Sequence, residues 1–485
     1  MTQTWLLLRS TNETWPSSHL PRLCTSYRMG IPRLHVCRAT ARSTRRSLTR
    51  PFASAVRPIA HEIRLDAPVS VYVHWPYCQS KCTYCAFNKY HIPAGGQDHD
   101  RMERALLTEL RHALTYDPNE DAGGPAFVKR PRRRKLNSVY FGGGTPSLAR
   151  PLMISKVLEY LRSVCDVPND MEVTLEGNPT SVEVELLKDF KAAGANRLSL
   201  GLQALGDKDL RFFGRDHSAA EAHTAVEKAQ GIFHRISLDF IWGRPGQTLA
   251  AWESELKRAL SFGATHYSLY QLTVERGTPL FKDVAKGAVV VPDDDLAADM
   301  YEKTVEMASE NGYHQYEVSS FAWHGLETNR SQHNQSYWRG YDYIGIGPGA
   351  HGRVYGADGT RFRTFRTLDP NSWMTECETT GQGMRRVVPM TLRQTLEELV
   401  LLGLRTMDGV SFGTIRQHAG VEYSIDSIIN IAATNDLVSG DLLEWVYATS
   451  EMDAAVEVDG RLVRGLRPTR KGLAVIDRVV PEVIA

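Results

Sequence analysis

The stretch SVYVHWPYCQSKCTYCAF, residues 70–87, decides how this chain is interpreted. Its first six residues form a β-branched and aromatic run of the kind found in buried strands. Cys78, Cys82 and Cys85 follow directly in a C-x3-C-x2-C loop. Three thiolates can ligate three irons of a cubane iron–sulfur cluster and leave the fourth iron open to another ligand. The alternative is a structural zinc ion, for which His74 would have to supply the fourth ligand.

Beyond this loop, short β-branched runs alternate with longer amphipathic stretches, a pattern that predicts parallel strands covered by helices. We expect six strands, at Ser70–Trp75, Leu136–Phe141, Glu172–Glu176, Arg197–Leu202, Ile236–Trp242 and His266–Leu272. Helices are expected between them, at Met102–Leu114, Leu152–Cys165, Val182–Ala193, Ala219–Gly231 and Leu249–Ser261. Six such units predict an α/β fold, a partial (β/α)6 barrel with its functional residues at the carboxyl ends of the strands.

Polar residues and glycines stand where these strands end. A glycine run, Gly142–Gly144, follows the second strand and lets main-chain groups approach a ligand closely. Glu176 ends the third strand, where its carboxylate can accept hydrogen bonds from hydroxyl groups. Gln203 and Asp239 end the fourth and fifth strands, and Arg215 follows the fourth. The sequence therefore predicts a polar binding cavity at this end of the barrel.

The cysteine spacing, with Tyr84 before the last cysteine, resembles that of the radical SAM superfamily. The resemblance implies a radical SAM barrel whose 4Fe-4S cluster, held by the three cysteines, binds S-adenosyl-L-methionine (SAM) at its open iron. An electron supplied by a donor protein then releases a 5'-deoxyadenosyl radical. In such proteins the cofactor supplies the difficult chemistry, and the protein binds and orients it.

Over residues 69–352 the motif order is similar to that of the superfamily branch of coproporphyrinogen dehydrogenases (HemN) and haem chaperones (HemW). The dehydrogenases continue the loop with a fourth cysteine two residues after the third. Phe87 stands at that position here, which counts against oxidative decarboxylation of coproporphyrinogen. The similarity implies that the SAM-binding residues are Tyr72, Tyr84, Gly143, Gly144, Thr145, Glu176, Gln203, Arg215 and Asp239.

A second motif, QHNQSYW at residues 332–338, matches the HNxxYW signature of the haem chaperone branch, where it is tied to haem binding. An imidazole can ligate haem iron while aromatic rings cover the porphyrin. The resemblance therefore implies haem contacts from His333, Asn334, Tyr337 and Trp338. The structural alternative is that His333 and Asn334 cap a turn and Trp338 belongs to the core.

The first 60 residues contain ten arginines, no lysine and a single acidic residue, Glu13. This Arg-rich, Ser/Thr-rich composition predicts a mitochondrial transit peptide, or a basic leader with no targeting role.

The remaining residues are mildly acidic, which argues against a general nucleic-acid surface. No apolar run approaches the length of a transmembrane helix, so we expect a soluble matrix protein. The seven cysteines, an odd number, argue against a disulfide framework.

We divide the chain into four segments. After the leader, residues 1–60, come the barrel, residues 61–290, with a basic insertion at 116–135, and an extension, residues 291–385, that carries HNxxYW. Residues 386–485 predict a smaller helical, winged-helix-like domain with a hairpin at Asp459-Gly460.

The insertion at residues 116–135 could be a solvated loop or a basic nucleic-acid or nuclear-import patch. The last segment could bind DNA or pack over the barrel, and we expect no nucleic-acid partner.

These observations together predict a radical SAM protein that binds haem and transfers it to respiratory haemoproteins. One alternative is an oxygen-independent coproporphyrinogen III dehydrogenase of porphyrin biosynthesis. Another is a degenerate barrel that only binds ligands and no longer cleaves SAM, against which the intact cysteine loop argues.

Overall fold

The computed structural model describes residues 68–115, 133–356, 358–419, 424–448, 456–458 and 460–485. The expected transit peptide, most of the 116–135 insertion and Asp459 of the expected hairpin turn lie outside these residues.

The predicted barrel strands form the middle of one twelve-stranded sheet. Six strands pair in parallel in the order β1, β4, β5, β6, β7 and β8. Because parallel strands end at the same edge, their carboxyl-terminal loops meet there. The strands of this first half of the chain are β1 Val69–Trp75, β2 Tyr77–Cys78, β3 Tyr90–His91, β4 Leu136–Gly143, β5 Glu172–Gly177, β6 Arg197–Gln203, β7 Arg235–Trp242 and β8 His266–Gln271.

Residues 291–389 extend the same sheet at both ends, because the last strand of the extension continues past the expected boundary at residue 385. The hairpin of β9 Tyr313–Gln315 and β10 Ser320–Trp323 adds antiparallel to β8. At the other end, β11 Asp342–Ile346 pairs in parallel with β1 and is a seventh parallel strand that the sequence did not predict. Three antiparallel strands follow outward from β11: β12 His351–Tyr355, β13 Arg361–Arg366 and β14 Met384–Pro389.

Helices connect the strands, and several begin at the residue types expected for N-caps. Ser218 caps α6 with a reciprocal capping box to Glu221, and Thr248 caps α7 by accepting from the Ala251 N–H. The helices as far as the end of the extension are α1 His99–Thr115, α2 Pro151–Val164, α3 Ser181–Glu185, α4 Leu187–Ala192, α5 Asp207–Phe213, α6 Ala219–Gln230, α7 Leu249–Leu260, α8 Pro279–Ala285, α9 Asp294–Glu310, α10 Gln332–Trp338 and α11 Pro370–Thr380.

The two faces of the barrel strands differ in polarity. Apolar side chains such as Val71 and Val139 join one large core with the helices. The alternate residues are buried but polar. The Ser70 hydroxyl donates to Ser336 on α10, and the Ser138 hydroxyl donates to Ser70. Because side chains alternate across a strand, this polar set shares the face that carries the strand-end site residues.

The C-terminal residues form a smaller unit with its own apolar core. Thr391 caps its first helix with a capping box, and Thr469 caps the short helix that begins at Arg470. That short helix ends at Ala474, where the Val475 N–H bonds only three residues back, to Gly472, and the last helix starts at Ile476. The unit contains α12 Leu392–Leu404, α13 Phe412–Ala419, α14 Ile431–Ser439, α15 Arg470–Ala474, α16 Ile476–Val483 and an antiparallel sheet of β15 Val410–Ser411, β16 Leu443–Tyr447, β17 Val456–Val458 and β18 Arg461–Pro468.

Candidate functional site

Cys78, Cys82 and Cys85 line one cavity at the carboxyl end of the parallel strands. Their loop is held from two sides. The Thr83 N–H donates to the carbonyl of Phe213 at the end of α5 at 3.0 Å, and Lys89 Nζ donates to the Cys85 carbonyl at 2.5 Å. These contacts fix the loop main chain and leave the three sulfur atoms facing the cavity.

The donor set fits an iron–sulfur cluster better than the zinc alternative. Both ring nitrogens of His74 are used elsewhere: Nδ1 bonds the Tyr72 hydroxyl at 3.1 Å and Nε2 bonds the Asn88 carbonyl at 2.8 Å. Burial raises the pKa of the Cys78 thiol to about 11. A thiolate at this position therefore needs nearby positive charge, which iron ions would supply as they displace the proton. Among the described residues, no three His, Cys, Asp or Glu side chains are grouped around a single ion position.

Arg215 joins the cysteine loop to the strand ends. Its Nη1 donates to the Cys82 sulfur at 3.3 Å, and its Nη2 donates to Asn178 Oδ1 at 2.6 Å and to the Gly201 carbonyl at 2.8 Å. Burial alone would lower the pKa of Arg215, but Tyr84 and Cys82 more than offset this effect, so the net shift is upward. A fixed positive charge thus lies beside the sulfur atoms.

The glycine run packs against the cysteine loop itself. The Gly144 N–H donates to the Trp75 carbonyl at 2.6 Å, and the Thr145 N–H donates to the Tyr77 carbonyl at 2.9 Å. A Cβ at Gly144 would lie 2.7 Å from the Tyr77 carbonyl oxygen. Gly143 and Thr145 line the cavity as well. Glycine is required here because the main chain of one loop lies directly on the main chain of the other.

Two carboxyl groups, those of Glu176 and Asp239, face the cavity from β5 and β7. Glu176 lies next to the end of its strand, as expected, but β7 continues to Trp242, so Asp239 lies within its strand and does not end it. Glu176 accepts from the Tyr140 hydroxyl at 2.7 Å and the Gly143 N–H at 3.2 Å. Its surroundings are poorly solvated, and this desolvation raises the pKa of Glu176 to about 7. Asp239 accepts from the Ser199 and Ser237 hydroxyls, and desolvation raises its pKa too. Both carboxyls can accept hydrogen bonds from the hydroxyl groups of a bound ligand.

The remaining predicted SAM residues also line this cavity. Tyr84 packs edge to face on Phe213, with 4.7 Å between the ring centroids. Gln203 has a left-handed backbone, with φ of 69°, at an irregularity in the pairing of β6 with β7. This conformation is uncommon for a residue other than glycine. All nine residues therefore surround the same space, although their contacts with SAM stay a prediction.

The HNxxYW motif divides between two places. His333, Asn334 and Tyr337 line the cavity of the cysteines. Trp338 instead lines a second cavity, between α10 and the C-terminal unit, with the Arg405 guanidinium 5.9 Å from its ring centroid. Positions i and i+4 share a helix face, whereas i+5 turns away from it, so the structure does not bring Trp338 to His333.

His333 has the contacts of a core histidine. Its Nδ1 bonds the Ser138 hydroxyl at 2.9 Å and its Nε2 bonds the Tyr337 hydroxyl at 2.7 Å. The ring stacks on Tyr140 with centroids 4.8 Å apart and is only 1% exposed. Burial lowers the pKa of His333 to about 3. Ser331, and not His333, caps the helix, since it accepts from the Asn334 N–H.

Among the cavity residues that were not singled out from the sequence, Tyr140 and Asn178 make the most direct contacts with predicted site residues. Tyr140 positions Glu176 and stacks on His333, and Asn178 receives Arg215 while donating to Thr145 at 3.2 Å. Tyr140 could have been found, because it lies two residues before Gly142 on β4 and so shares its face. The Asn178 contacts depend on loops that are distant in sequence.

The arrangement of three thiols and a polar cavity, at the carboxyl end of a partial barrel, is that of a radical SAM protein. The family model described as the radical SAM superfamily matches residues 72–259. The bovine (Bos taurus) protein "Radical S-adenosyl methionine domain-containing protein 1, mitochondrial" is 40% identical over 86% of this chain and 87% of its own length. The Bacillus subtilis (strain 168) protein "Heme chaperone HemW" is 35% identical over 70% of this chain and 84% of its own.

This chain therefore belongs to the radical SAM family that includes those two proteins. Membership implies a 4Fe-4S cluster and SAM as cofactors, which together supply a reactive carbon radical. Among solved structures, coproporphyrinogen III oxidase (HemN) from Escherichia coli is similar, with a TM-score of 0.66 and 20% identity over 87% of this chain and 91% of that one. At this identity the likeness shows the fold, and it confirms the predicted α/β radical SAM architecture. In the described part of the chain, no helix is both long and apolar enough to cross a bilayer.

Proposed function

We propose that this chain is a mitochondrial haem chaperone. It holds a 4Fe-4S cluster on Cys78, Cys82 and Cys85, binds SAM beside that cluster, binds haem, and passes the haem to respiratory haemoproteins. The bacterial relatives whose names describe them as haem chaperones support this function. The mitochondrial names of the animal relatives and the Arg-rich leader support the location, and we propose the matrix as the compartment.

One observation carries the proposal. The three cysteines, the carboxyls of Glu176 and Asp239 and three residues of the HNxxYW motif all line a single cavity. A signature tied to haem in the related branch thus lies within the same space as the expected cluster. This arrangement gives a physical reason for haem handling and cluster chemistry to occur in one protein.

Within that cavity we assign SAM to the strand-end residues. Glu176 and Asp239 accept hydrogen bonds from the ribose hydroxyls, and the main chain of Gly143 and Gly144 borders the methionine portion. Arg215 holds positive charge beside Cys82, where it stabilises a thiolate by a charge-assisted hydrogen bond. His333, Asn334 and Tyr337 stay assigned to haem binding, with His333 and Tyr337 joined to each other by a hydrogen bond, whereas Trp338 lies outside this cavity.

Phe87 separates this proposal from coproporphyrinogen oxidation. It lines the cavity where the dehydrogenase branch has a fourth cysteine. A phenyl ring cannot ligate iron or carry a proton as a thiol can. We therefore expect no conversion of coproporphyrinogen to protoporphyrinogen by this chain.

The first test asks whether the three cavity cysteines hold a cluster, and haem binding is then measured with and without that cluster. The full chain is reconstituted without oxygen, and its iron and sulfide contents are measured beside those of a Cys78→Ala, Cys82→Ala, Cys85→Ala variant. A Cys165→Ala, Cys377→Ala variant is the matched control, because those two buried thiols lie outside the cavity. We expect the triple variant to lose the cluster and the control to keep it. Zinc in place of iron, or unchanged iron in the triple variant, would refute the assignment.

A second test separates the rival functions. Reconstituted protein given dithionite and SAM should release 5'-deoxyadenosine, and no product would favour a barrel that only binds ligands. Addition of coproporphyrinogen should yield no protoporphyrinogen, and accumulation of protoporphyrinogen would favour the dehydrogenase.

The location has its own test. A reporter fused to residues 1–60 should enter mitochondria, and a reporter that stays cytosolic would refute the proposed location.

A further inference from the structure

His333 is poorly suited to ligate haem iron in this structure. A haem ligand needs a ring nitrogen with a free lone pair. Both nitrogens of His333 form hydrogen bonds, to Ser138 and Tyr337, and its ring is enclosed. The same is true of His74, which is bonded to Tyr72 and to the Asn88 carbonyl. The HNxxYW residues therefore line the cavity, and the haem iron needs an axial ligand from another part of the chain.

His351 on β12 differs from both. Its ring is partly exposed and packs edge to face on Phe365, with 4.6 Å between centroids. Within the described residues, no hydrogen bond to its ring is recorded. Burial, together with Arg353 and His74, lowers the pKa of His351 to about 4. The imidazole is therefore neutral near pH 7, the state in which it binds metals.

His351 belongs to a row of paired residues that runs across neighbouring strands of the sheet and starts at the cavity wall. Tyr72, which lines the cavity, pairs with Gly345 on β11. Gly345 lies directly on the main chain of His351, since a Cβ there would be 2.0 Å from the His351 carbonyl oxygen. With strands about 4.8 Å apart, β12 lies about 10 Å from β1. His351 therefore projects from the same face of the sheet as Tyr72 and lies two strands further from the cavity.

The row also contains the other groups that a haem needs. His351 pairs with Phe365 on β13, and Phe365 pairs with Arg386 on the edge strand β14. Paired residues project from the same face, so an imidazole, a phenyl ring and an exposed guanidinium lie side by side. A phenyl ring can pack on a porphyrin face, and a guanidinium can bind a propionate carboxylate.

We infer that this row, His351, Phe365 and Arg386, is a haem-binding platform in which His351 ligates the iron. The inference rests on the proposed function, because it assumes that haem is the cargo. A bond forms between a ring nitrogen of His351 and the iron, with no change of oxidation state required. Phe365 covers part of the macrocycle, and Arg386 binds a propionate at the sheet edge. The cargo is held beside the cluster cavity and remains open to an acceptor protein.

Haem titration of the full, cluster-reconstituted chain tests this assignment. His351→Ala is compared with His223→Ala, whose side chain is exposed on α6, outside both the cavity and the row. We expect His351→Ala to shift the Soret band and to weaken haem binding at least tenfold, with added imidazole restoring the band. His223→Ala should keep the wild-type Soret position and affinity.

A second pair of variants tests the carboxylate contact. Arg386→Gln should weaken binding severalfold without moving the Soret band, while Arg258→Gln, which changes an exposed arginine on α7, should bind as the wild type does. Iron content and thermal unfolding show that each variant is folded, and His351→Gln replaces His351→Ala if the latter does not fold. A His351 variant with wild-type band and affinity would overturn the inference. Wild-type protein that binds no haem would instead refute the proposed function.

Discussion

The Arg215 guanidinium lies 3.3 Å from the Cys82 sulfur and also donates to the Gly201 carbonyl. One side chain thus connects a predicted cluster ligand with the end of β6. Hydrogen bonds to charged groups contribute roughly 1.5–3 kcal/mol, so this contact should stabilise the ligated thiolate measurably.

We predict that Arg215→Leu loses its cluster to a chelator about tenfold faster than the wild type, a factor that corresponds to about 1.4 kcal/mol. The measurement is the decay of cluster absorbance without oxygen. Arg211→Leu, an exposed arginine on α5, is the control and should decay at the wild-type rate. Equal decay of Arg215→Leu and the wild type would show that the contact does not support the cluster.

Glu176 should make stability depend on pH. Its pKa in the folded chain is about 7 and its ordinary value is 4.5. Between these values the folded state binds more protons than the unfolded state, so the free energy of unfolding falls as the pH rises. The loss is at most about 1.4 kcal/mol for each pH unit, and less where the cavity admits water.

Glu176→Gln removes this titration. We predict that its free energy of unfolding, minus that of the wild type, increases from pH 5 to pH 8 in urea denaturation of the cofactor-free chain. The exposed Glu310→Gln variant is the control, and its difference from the wild type should stay flat. A flat difference for Glu176→Gln as well would show that Glu176 is fully solvated.

The six barrel strands could be predicted from the sequence because their signal is local. The expected Ser70–Trp75 is observed as Val69–Trp75, and the expected Glu172–Glu176 as Glu172–Gly177. β-branched runs between amphipathic segments determine such strands without reference to distant residues. The cysteine spacing is equally local, and all three thiols do line one cavity.

The seventh parallel strand could not be predicted in the same way. Val69 on β1 pairs with Asp342 on β11, and no local pattern reports a contact between residues so far apart along the chain. The separation of Trp338 from His333 has a local cause, the 3.6-residue turn of α10, but it follows only once the helix is recognised. The hydrogen bonds that occupy both nitrogens of His333 depend on β4, which the motif itself does not reveal.

The glycine loop gives a packing prediction. Gly144 has an ordinary backbone conformation, yet an added Cβ would meet the Tyr77 carbonyl oxygen at 2.7 Å. Gly144→Ala should therefore push the two loops apart, at a cost of about 1–3 kcal/mol in the free energy of unfolding, and lower iron incorporation.

Gly95→Ala is the matched control for this substitution, because a Cβ at Gly95 meets no atom within 4 Å. Urea denaturation and iron analysis of both variants check the prediction. If Gly144→Ala unfolds and takes up iron as Gly95→Ala does, the two loops can separate without cost.

Glu398 on α12 links the C-terminal unit to the extended sheet. Its carboxylate accepts from Arg353 and Arg363, each at 3.0 Å, and Arg361 lies 3.8 Å away. Burial alone would raise the pKa of Glu398, but these three guanidinium groups outweigh that effect and lower it to about 2. Because the folded value is below the ordinary 4.5, the stabilisation is present above pH 4.5 and is lost as the pH falls towards 2.

We predict that Glu398→Gln lowers the free energy of unfolding by about 3–5 kcal/mol at pH 7, since it leaves two buried guanidinium groups and a partly buried one without a counter-charge. Urea denaturation followed by tryptophan fluorescence, to which Trp445 in the C-terminal core contributes, measures this loss. Glu397→Gln breaks only a partly exposed pair with Arg393 and should cost less than about 1 kcal/mol. The deficit of Glu398→Gln should shrink as the pH is lowered from 7 to 3, because below about pH 4.5 the unfolded wild-type chain takes up a proton on this carboxyl while the folded chain keeps it ionised. A deficit that is equal at both pH values would mean that lost packing, and not lost charge, explains the destabilisation.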